Sequence, residues 1–532
     1  MAVLIACFGI YVYSVRDIEP PKILDSSIDN VSRVESDSNS YSLGNNWLQQ
    51  NKYGLYEMYL EGKPYERGVI YGKLANELLF AQEKAFTNEI KRMIPSESYL
   101  KFLRYIVGFM NRDLSDYVID EYQQEIYGIS NSASPEFNWI GTNYSRQLNY
   151  HAAHDIGHAL ANMMLVGCTS FATWNGNSVD SELIVGRNFD FYVGDEFAKK
   201  KIIAFYKPEK GIPFMSVIWG GFTGVVSGMN LNGLTVTINA NKSAIPFGAA
   251  TPVSLVAREI LQYASTIDEA VAIARKRTMF VSESFLISSA RDNKAVVIEK
   301  TPDELDIYDP NQQQILCTNH YQGESLALQK LNQEQMNKSA SVYRYQRLIE
   351  LMNQHKPLTP QKAATILRDY KGLGNTDIGL TNEKAMNQFI AHHSIIFEPK
   401  KRLVWVSTSP WQEGAYICYD LNQVFLNSTA RNPLYQSPLT IEADTFIHTS
   451  SYKQLTTYLS LEQQHLNHQP ISPMQIVHSN PTYYDAYRIA GDVYVSLGIL
   501  DSAKWMYQKA LTLEIATENE RAQLNEKIEK LH

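Results

Sequence analysis

The chain of 532 residues is 44% hydrophobic and 20% charged, with 28 Gly, 20 Pro and 4 Cys. That excludes collagen, low-complexity disorder and a disulfide-stapled miniprotein, and allows roughly two to four domains. The 48 basic against 56 acidic residues give a net charge of −8, so no nucleic-acid partner is expected.

Residues 2–15 form an apolar run that ends at Arg16. It has the length of a signal h-region and falls short of the roughly 20 residues a spanning helix needs. No basic stretch precedes it and no small-x-small cleavage site follows. Leu4-Ile5-Ala6-Cys7 fits a bacterial lipoprotein box, although the run continues past Cys7. Residues 1–16 therefore read as a signal or membrane anchor, lipid or helix. They imply an extracytoplasmic protein, periplasmic or cell-surface, tethered through its N-terminus. Residues 17–46, rich in Ser, Asp, Asn and Pro, read as a solvated linker. Residues 47–167 read as a helical segment, because apolar residues recur at helical spacing over 66–93, 98–127 and 148–166.

The texture then changes. Short apolar or β-branched runs at 183–185, 202–206, 214–219, 225–229 and 234–238, separated by Gly, Asn and Pro, predict antiparallel strands. Helices are predicted over 252–263 and 267–276, the second opening on a Thr266/Glu269 capping box. Strand pairs 285–289 with 295–299 and 394–397 with 403–407 each flank a turn. Strands, then helices, then strands imply helices packed on antiparallel sheets, an α+β fold. Residues 431–480 connect to a helical tail, 481–532. Within it, small residues at Ala486, Gly491, Gly498, Ala503 and Ala510 resemble one tetratricopeptide unit. A lone unit cannot bury its own face, so the tail is expected to pack on this chain or on a protein partner.

Cys7, Cys168, Cys317 and Cys418 form no Cys-x-x-Cys pair and no metal-ligand spacing. His151, His154 and His158 share a helical face with Asp155 at a spacing that zinc accepts. A polar helix face is the reading taken, with no metal and no cofactor expected.

The segment Gly167-Cys168-Thr169-Ser170-Phe171, followed by Val185-Gly186-Arg187-Asn188-Phe189-Asp190-Phe191, carries the chemistry. A thiol is a good nucleophile only as thiolate, and its unperturbed pKa is near 8.5, so roughly neutral conditions leave it protonated. If the Gly167–Cys168 bond is cut, the new α-amine of Cys168, with a pKa of about 7.7–8.0, lies within reach of its own sulfur as a general base. No separate histidine is then needed. Gly167, without a side chain, lets the thiol approach the carbonyl.

These motifs resemble the N-terminal nucleophile hydrolases. Within them they resemble the group containing acyl-CoA:6-aminopenicillanic-acid acyltransferase and, more distantly, the choloylglycine (bile salt) hydrolases. The resemblance runs over residues 61–420 and is strongest between 168 and 241. It implies an αββα sandwich with its catalytic core at 168–430, self-cleavage between Gly167 and Cys168, and a thioester at Cys168. Water or an acceptor amine would resolve that thioester. The implied substrate is a small linear amide such as an N-acyl amino acid or a conjugated amide.

Carried over residue by residue, Arg187 lowers the thiol pKa and Asp190 accepts a hydrogen bond from the new α-amine. Asn239 is the oxyanion donor, with Asn241 as the alternative. Asn319, in Cys317-Thr318-Asn319-His320, lies near the nucleophile, and Arg344 opens the helix within 339–347. His320 stands behind these. The spacing from Cys168 to Arg187 is longer than in the choloylglycine hydrolases, which implies a larger first hairpin. The stretch before Cys168 is very long for a discarded pro-segment and is expected to stay bound as a helical chain. Two readings of other classes stand beside this one. The first is a non-catalytic binding or scaffold protein on the same fold; the second is a conventional cysteine protease using His320 or His393.

Overall fold

The computed structural model describes residues 11–12, 14, 16–37, 39–152, 167–191, 194–242, 248–429 and 433–531. Four strands precede Cys168: β1 (Val34–Asp37), β2 (Ser40–Leu43), β3 (Asn46–Gln50) and β4 (Tyr56–Gly62). After it come β5 (Thr169–Thr173), β6 (Ile184–Phe189), β7 (Ile202–Pro208), β8 (Phe214–Ile218), β9 (Ser227–Asn230) and β10 (Leu234–Ala240). Then follow β11 (Glu283–Ser289), β12 (Lys294–Lys300), β13 (Leu305–Tyr308), β14 (Gln314–Cys317), β15 (His393–Glu398), β16 (Leu403–Ser407) and β17 (Tyr416–Asp420).

Eleven strands form one sheet in the order β1-β2-β3-β4-β7-β8-β9-β10-β11-β12-β13, and six form a second, β14-β5-β6-β15-β16-β17. Neighbours pair antiparallel except β4 and β7, which run parallel with Tyr56 opposite Ile202.

Side chains alternate across each strand, and over the central strands both faces of both sheets are buried. On β7, Ile203 and Phe205 meet Val185, Ile395, Phe397, Val404 and Val406 of the six-stranded sheet. Ile202, Ala204 and Tyr206 point the other way, onto Ile70, Tyr71 and Leu74 of helix Pro64–Leu74 and Val256 and Ile260 of helix Val253–Tyr263. The outer face of the six-stranded sheet puts Phe171, Ile184, Ile396 and Trp405 against Leu348, Leu351, Ile366 and Leu367 from helices Ser341–Gln354 and Pro360–Leu367. The α+β architecture is thus layered helix, sheet, sheet, helix. Each such fully buried side chain contributes roughly 1.5–3 kcal/mol of apolar transfer.

The segment before Cys168 differs from the expected helical chain. Its helices are present, Pro64–Leu74, Asn76–Met93, Glu97–Met110 and Asp120–Ser130 among them, but it also supplies four strands of the larger sheet. Residues 17–46 are correspondingly not a free linker. Asp17 Oδ1 accepts the Thr142 amide at 3.2 Å, Ile18 is buried, and β1 and β2 extend the sheet. Sheet pairing is a backbone property, so Ser- and Asn-rich strands join it with little side-chain signal.

Helices Pro64–Leu74 and Asp120–Ser130 pack closely because Gly68 and Gly128 sit at their contact. A Cβ on Gly68 would lie 2.0 Å from Glu125 O, and one on Gly128 would lie 2.5 Å from Tyr65 O. Beside them the Glu125 carboxylate, fully buried, takes Arg67 on one side and Arg258 Nη1 and Nη2 at 2.9 and 2.8 Å on the other.

The apolar run 2–15 lies largely outside the described residues, and no helix among them is long and apolar enough to cross a membrane. At the C-terminus, helices Tyr484–Ser496 and Leu500–Ala510 form the expected hairpin, with Gly491 admitting the Tyr507 ring. Its assignment as a tetratricopeptide unit is not established. The hairpin shares a core with helices Ser450–Leu466, Pro473–Ser479 and Glu518–Glu529, so part of the expected connecting segment belongs to the same helical unit. It docks on residues 379–384. Asn480 Nδ2 donates to Leu380 O, Asn382 Nδ2 donates to Glu514 O, and Gly379 packs on Tyr483.

Candidate active site

Cys168, fully buried, immediately precedes β5 of the six-stranded sheet. β5 pairs with β6 so that Thr169 faces Asn188 and Ser170 faces Arg187, and one step further the Gly167 amide donates to Asp190 O at 3.0 Å. This hairpin register is what brings Cys168, Arg187 and Asp190 together from separate motifs.

Arg187 is buried between the sheets. Its Nη2 lies 3.4 Å from Cys168 Sγ and also donates to Ile238 O, while Nη1 donates to Val226 O at 2.9 Å and to Ser227 Oγ. Four acceptors fix the plane of the guanidinium, a task suited to its fork of donors. Burial pushes the Cys168 thiol up to about 11, against the pull of Arg187. Asp190 is fully buried, and among the described residues neither carboxylate oxygen has a hydrogen-bond partner. Burial raises it to about 7, although Arg344 and Arg187 both favour its charged form.

Arg344, on helix Ser341–Gln354, closes the site from the other side. Nη1 donates to Gly167 O at 3.0 Å, Cys168 O at 2.8 Å and Thr169 Oγ1 at 3.1 Å, and Nη2 donates to Asn319 Oδ1 at 2.7 Å. Asn319 Nδ2 in turn donates to Ala240 O at 2.8 Å, which ties the end of β10 to the loop after β14. Arg187, Asp190, Asn319 and Arg344 thus gather at the Gly167–Cys168 junction.

Asn239 is placed differently. Its Oδ1 accepts from Ser170 Oγ at 2.7 Å, and its Nδ2 donates to Thr318 O at 3.1 Å and Cys317 O at 3.3 Å. The amide that the oxyanion role requires is thus committed to main-chain carbonyls. The alternative, Asn241, donates to Ser284 Oγ at 2.6 Å and Asn239 O at 3.4 Å.

The histidines are engaged elsewhere. His320 turns Nδ1 to Ser341 Oγ at 2.8 Å and Thr318 Oγ1 at 3.1 Å, and burial lowers it to about 4. His393 turns Nε2 to Ser227 Oγ at 2.8 Å and Nδ1 to His392 Nδ1 at 2.9 Å. His151 has Nδ1 on Gln147 O at 2.8 Å and accepts the Thr223 amide on Nε2 at 3.0 Å, so both nitrogens are used. His154, Asp155 and His158 lie outside the described residues.

Three further residues near the site have no role predicted from the sequence. Asn188 donates to Leu367 O and Met386 O at 2.8 and 2.9 Å, fastening the end of helix Pro360–Leu367 and the loop at Met386 to β6. Ser227 links Arg187 to His393. Gln388, in the loop before β15, donates Nε2 to Gly167 O at 3.3 Å. A pocket adjoins the site, walled by Phe191, Phe197, Trp219, Phe222, Val226 and Ile238. The last two are the residues whose carbonyls hold Arg187.

Residues 174–409 match the family model described as acyl-coenzyme A:6-aminopenicillanic acid acyl-transferase, a span that begins just after Cys168 and contains Arg187, Asp190, Asn319 and Arg344. Among curated proteins, an uncharacterized protein of Archaeoglobus fulgidus is 24% identical over 291 residues, 52% of this chain and 47% of that one. The N-acylethanolamine-hydrolyzing acid amidase of Caenorhabditis elegans is 25% identical over 222 residues, 40% of this chain and 58% of that one. This chain therefore spans about half the length of the curated relatives it matches.

Similar solved structures include the Caenorhabditis elegans ortholog of that amidase, with TM-score 0.32 and 19% identity over 44% of this chain and 93% of that one. Another is the C2A mutant of the conjugated bile acid hydrolase of Clostridium perfringens, with TM-score 0.31 and 14% identity over 48% and 93%. The resemblance to this family is shown over residues 174–409, which contain the Arg187–Asp190 motif and begin after Cys168: through that span this chain is similar to the acyl-coenzyme A:6-aminopenicillanic acid acyl-transferases.

Proposed function

We propose that this protein is a self-processing cysteine amidohydrolase or acyltransferase of small linear amides, with Cys168 as its nucleophile. The observation that carries the reading is Asp190, whose main-chain carbonyl accepts the Gly167 amide and whose buried carboxylate has no hydrogen-bond partner among the described residues. A buried acid without a donor is costly, and a cut at the Gly167–Cys168 peptide would create the missing donor, the α-amine of Cys168.

In the cut chain the amine, oriented by Asp190, takes the thiol proton. The sulfur attacks the amide carbonyl while Arg187, beside it, favours the thiolate. The carbon–nitrogen bond breaks, and the leaving amine takes the proton from the α-amine. A thioester remains, which water or an acceptor amine attacks to restore the thiol. The family match and the amidase named among the relatives support amide chemistry. The aromatic pocket beside Arg187 suits an apolar acyl group. The protease alternative is disfavoured because His320 and His393 face other partners.

The test is intact mass with N-terminal sequencing of the purified protein beside Cys168→Ala. Two fragments, one starting at Cys168, are expected from the first and one unbroken chain from the second. An active sample with residue 168 still joined to Gly167 overturns the reading.

A further inference from the structure

The carbonyl that self-cleavage must attack is already gripped by two donors. Gly167 O accepts from Arg344 Nη1 at 3.0 Å and from Gln388 Nε2 at 3.3 Å. Gln388 belongs to none of the motifs read from the sequence, yet only 3% of it is exposed. Its amide lies directly over Gly167, where a Cβ would stand 2.7 Å from Nε2 and 3.1 Å from Oε1. Glycine at position 167 is thus what lets this amide reach the carbonyl.

We propose that Gln388, together with Arg344, forms the oxyanion hole for self-cleavage of the Gly167–Cys168 bond. The proposal rests on the self-processing reading above and adds to it a catalytic residue for maturation. As Cys168 Sγ bonds to the Gly167 carbonyl carbon, the π pair of the carbonyl moves onto its oxygen, where both donors converge. Collapse re-forms the carbonyl and breaks the bond to Cys168 nitrogen, which takes the proton released by the thiol. The resulting thioester consumes one water, giving a Gly167 carboxylate, the Cys168 thiol and a free α-amine.

Negative charge on that oxygen is greatest in the tetrahedral state, so donors aimed at it lower the barrier more than they stabilise the resting peptide. At 3.3 Å the Gln388 bond is long for an N–H···O contact and has room to shorten. Arg344 also holds Cys168 O, Thr169 and Asn319, so its removal would disturb the whole junction. Gln388 is the cleaner probe.

The experiment follows the full chain made by cell-free translation at pH 8 and chased over time, scoring intact chain against the fragment that begins at Cys168. Wild type, Gln388→Ala, Gln388→Glu, Gly167→Ala and Cys168→Ala are compared. Gln388→Ala is expected to slow cleavage by about 10²–10³-fold, the usual effect of losing one oxyanion-hole donor. Gln388→Glu keeps the volume but sets a carboxylate against the forming oxyanion, and is expected to be at least as slow. It decides the matter if the alanine variant does not fold. Gly167→Ala, by displacing the amide, is expected to slow cleavage as well. Gln388→Glu maturing at the wild-type rate overturns the proposal and leaves self-processing intact. A wild-type chain that never cuts overturns both.

Discussion

The unpartnered Asp190 makes a prediction about stability that is independent of any substrate. In the Cys168→Ala chain the peptide stays joined and the carboxyl keeps its dry surroundings. An aspartate in an unfolded chain ionises near pH 4, whereas burial moves Asp190 to about 7. Between those values the unfolded chain has lost a proton that the folded chain keeps. Stability therefore falls as pH rises through this window, and the penalty is complete above pH 7. At 1.36 kcal/mol for each pK unit the ceiling is about 4 kcal/mol. Asparagine carries no such proton. Asp190→Asn in the Cys168→Ala background should raise the unfolding free energy from urea titration at pH 8 by an amount approaching that ceiling, with a matching rise in midpoint, and change both little at pH 4. Equal midpoint shifts at the two pH values, or a loss of stability at pH 8, would show that Asp190 already has a partner and would remove the main support for an awaited amine.

Arg187→Lys retains the positive charge but cannot reach Sγ, Val226 O, Ile238 O and Ser227 Oγ together. Each buried acceptor left unpaired costs about 1–3 kcal/mol, so both the melting temperature and the rate of thiol alkylation by iodoacetamide in the mature protein should fall. At Glu125, burial favours the neutral acid but Arg258 and Arg67 outweigh it and hold the carboxylate near 2. Its contribution is present above the unfolded value near 4.5 and is lost as pH falls toward 2. Glu125→Gln, which strands two buried arginines, should cost about 3–5 kcal/mol in a urea titration at pH 7. Because β1–β4 lie inside the larger sheet, the two fragments of the cut protein should co-elute on gel filtration without denaturant and separate in urea.

Most of the catalytic half was legible because its signals are local. Predicted strands at 234–238, 285–289, 295–299, 394–397 and 403–407 lie within β10, β11, β12, β15 and β16, and the Thr266/Glu269 capping box closes as read. The Cys168, Arg187 and Asp190 motifs met because one hairpin joins them. What escaped depends on distant partners. β4 pairs with β7, which lies far along the chain, and Ser40–Leu43 carries little hydrophobic alternation. Asn239 was legible as a residue near the site but not in its role, since only the structure gives its amide to the carbonyls of residues 317 and 318. Gln388 is a lone glutamine in a loop, with no pattern to mark it. The Arg67–Glu125–Arg258 cluster draws on three helices, and each member alone looks like an ordinary surface charge.

On the proposed reading, a cut between Gly167 and Cys168 would change the electrostatics of the site. In the joined chain the site resists negative charge at its reactive groups. The thiol is pushed to about 11 and the carboxyl of Asp190 to about 7, because two buried guanidiniums do not fully offset the loss of water. Such a thiol is a poor nucleophile toward an external amide at neutral pH. Freeing the α-amine adds a base within reach of the sulfur and a donor for Asp190 in one step, so the cost of burying that carboxylate becomes the force that orients the base. After such a cut the preceding segment is expected to stay bound, since four of its strands and the Glu125 cluster hold it in the fold. Cleavage on this account would be an internal switch from a chemically quiet peptide junction to a paired amine and thiol, and the burial that holds the thiol protonated is what makes the joined state quiet.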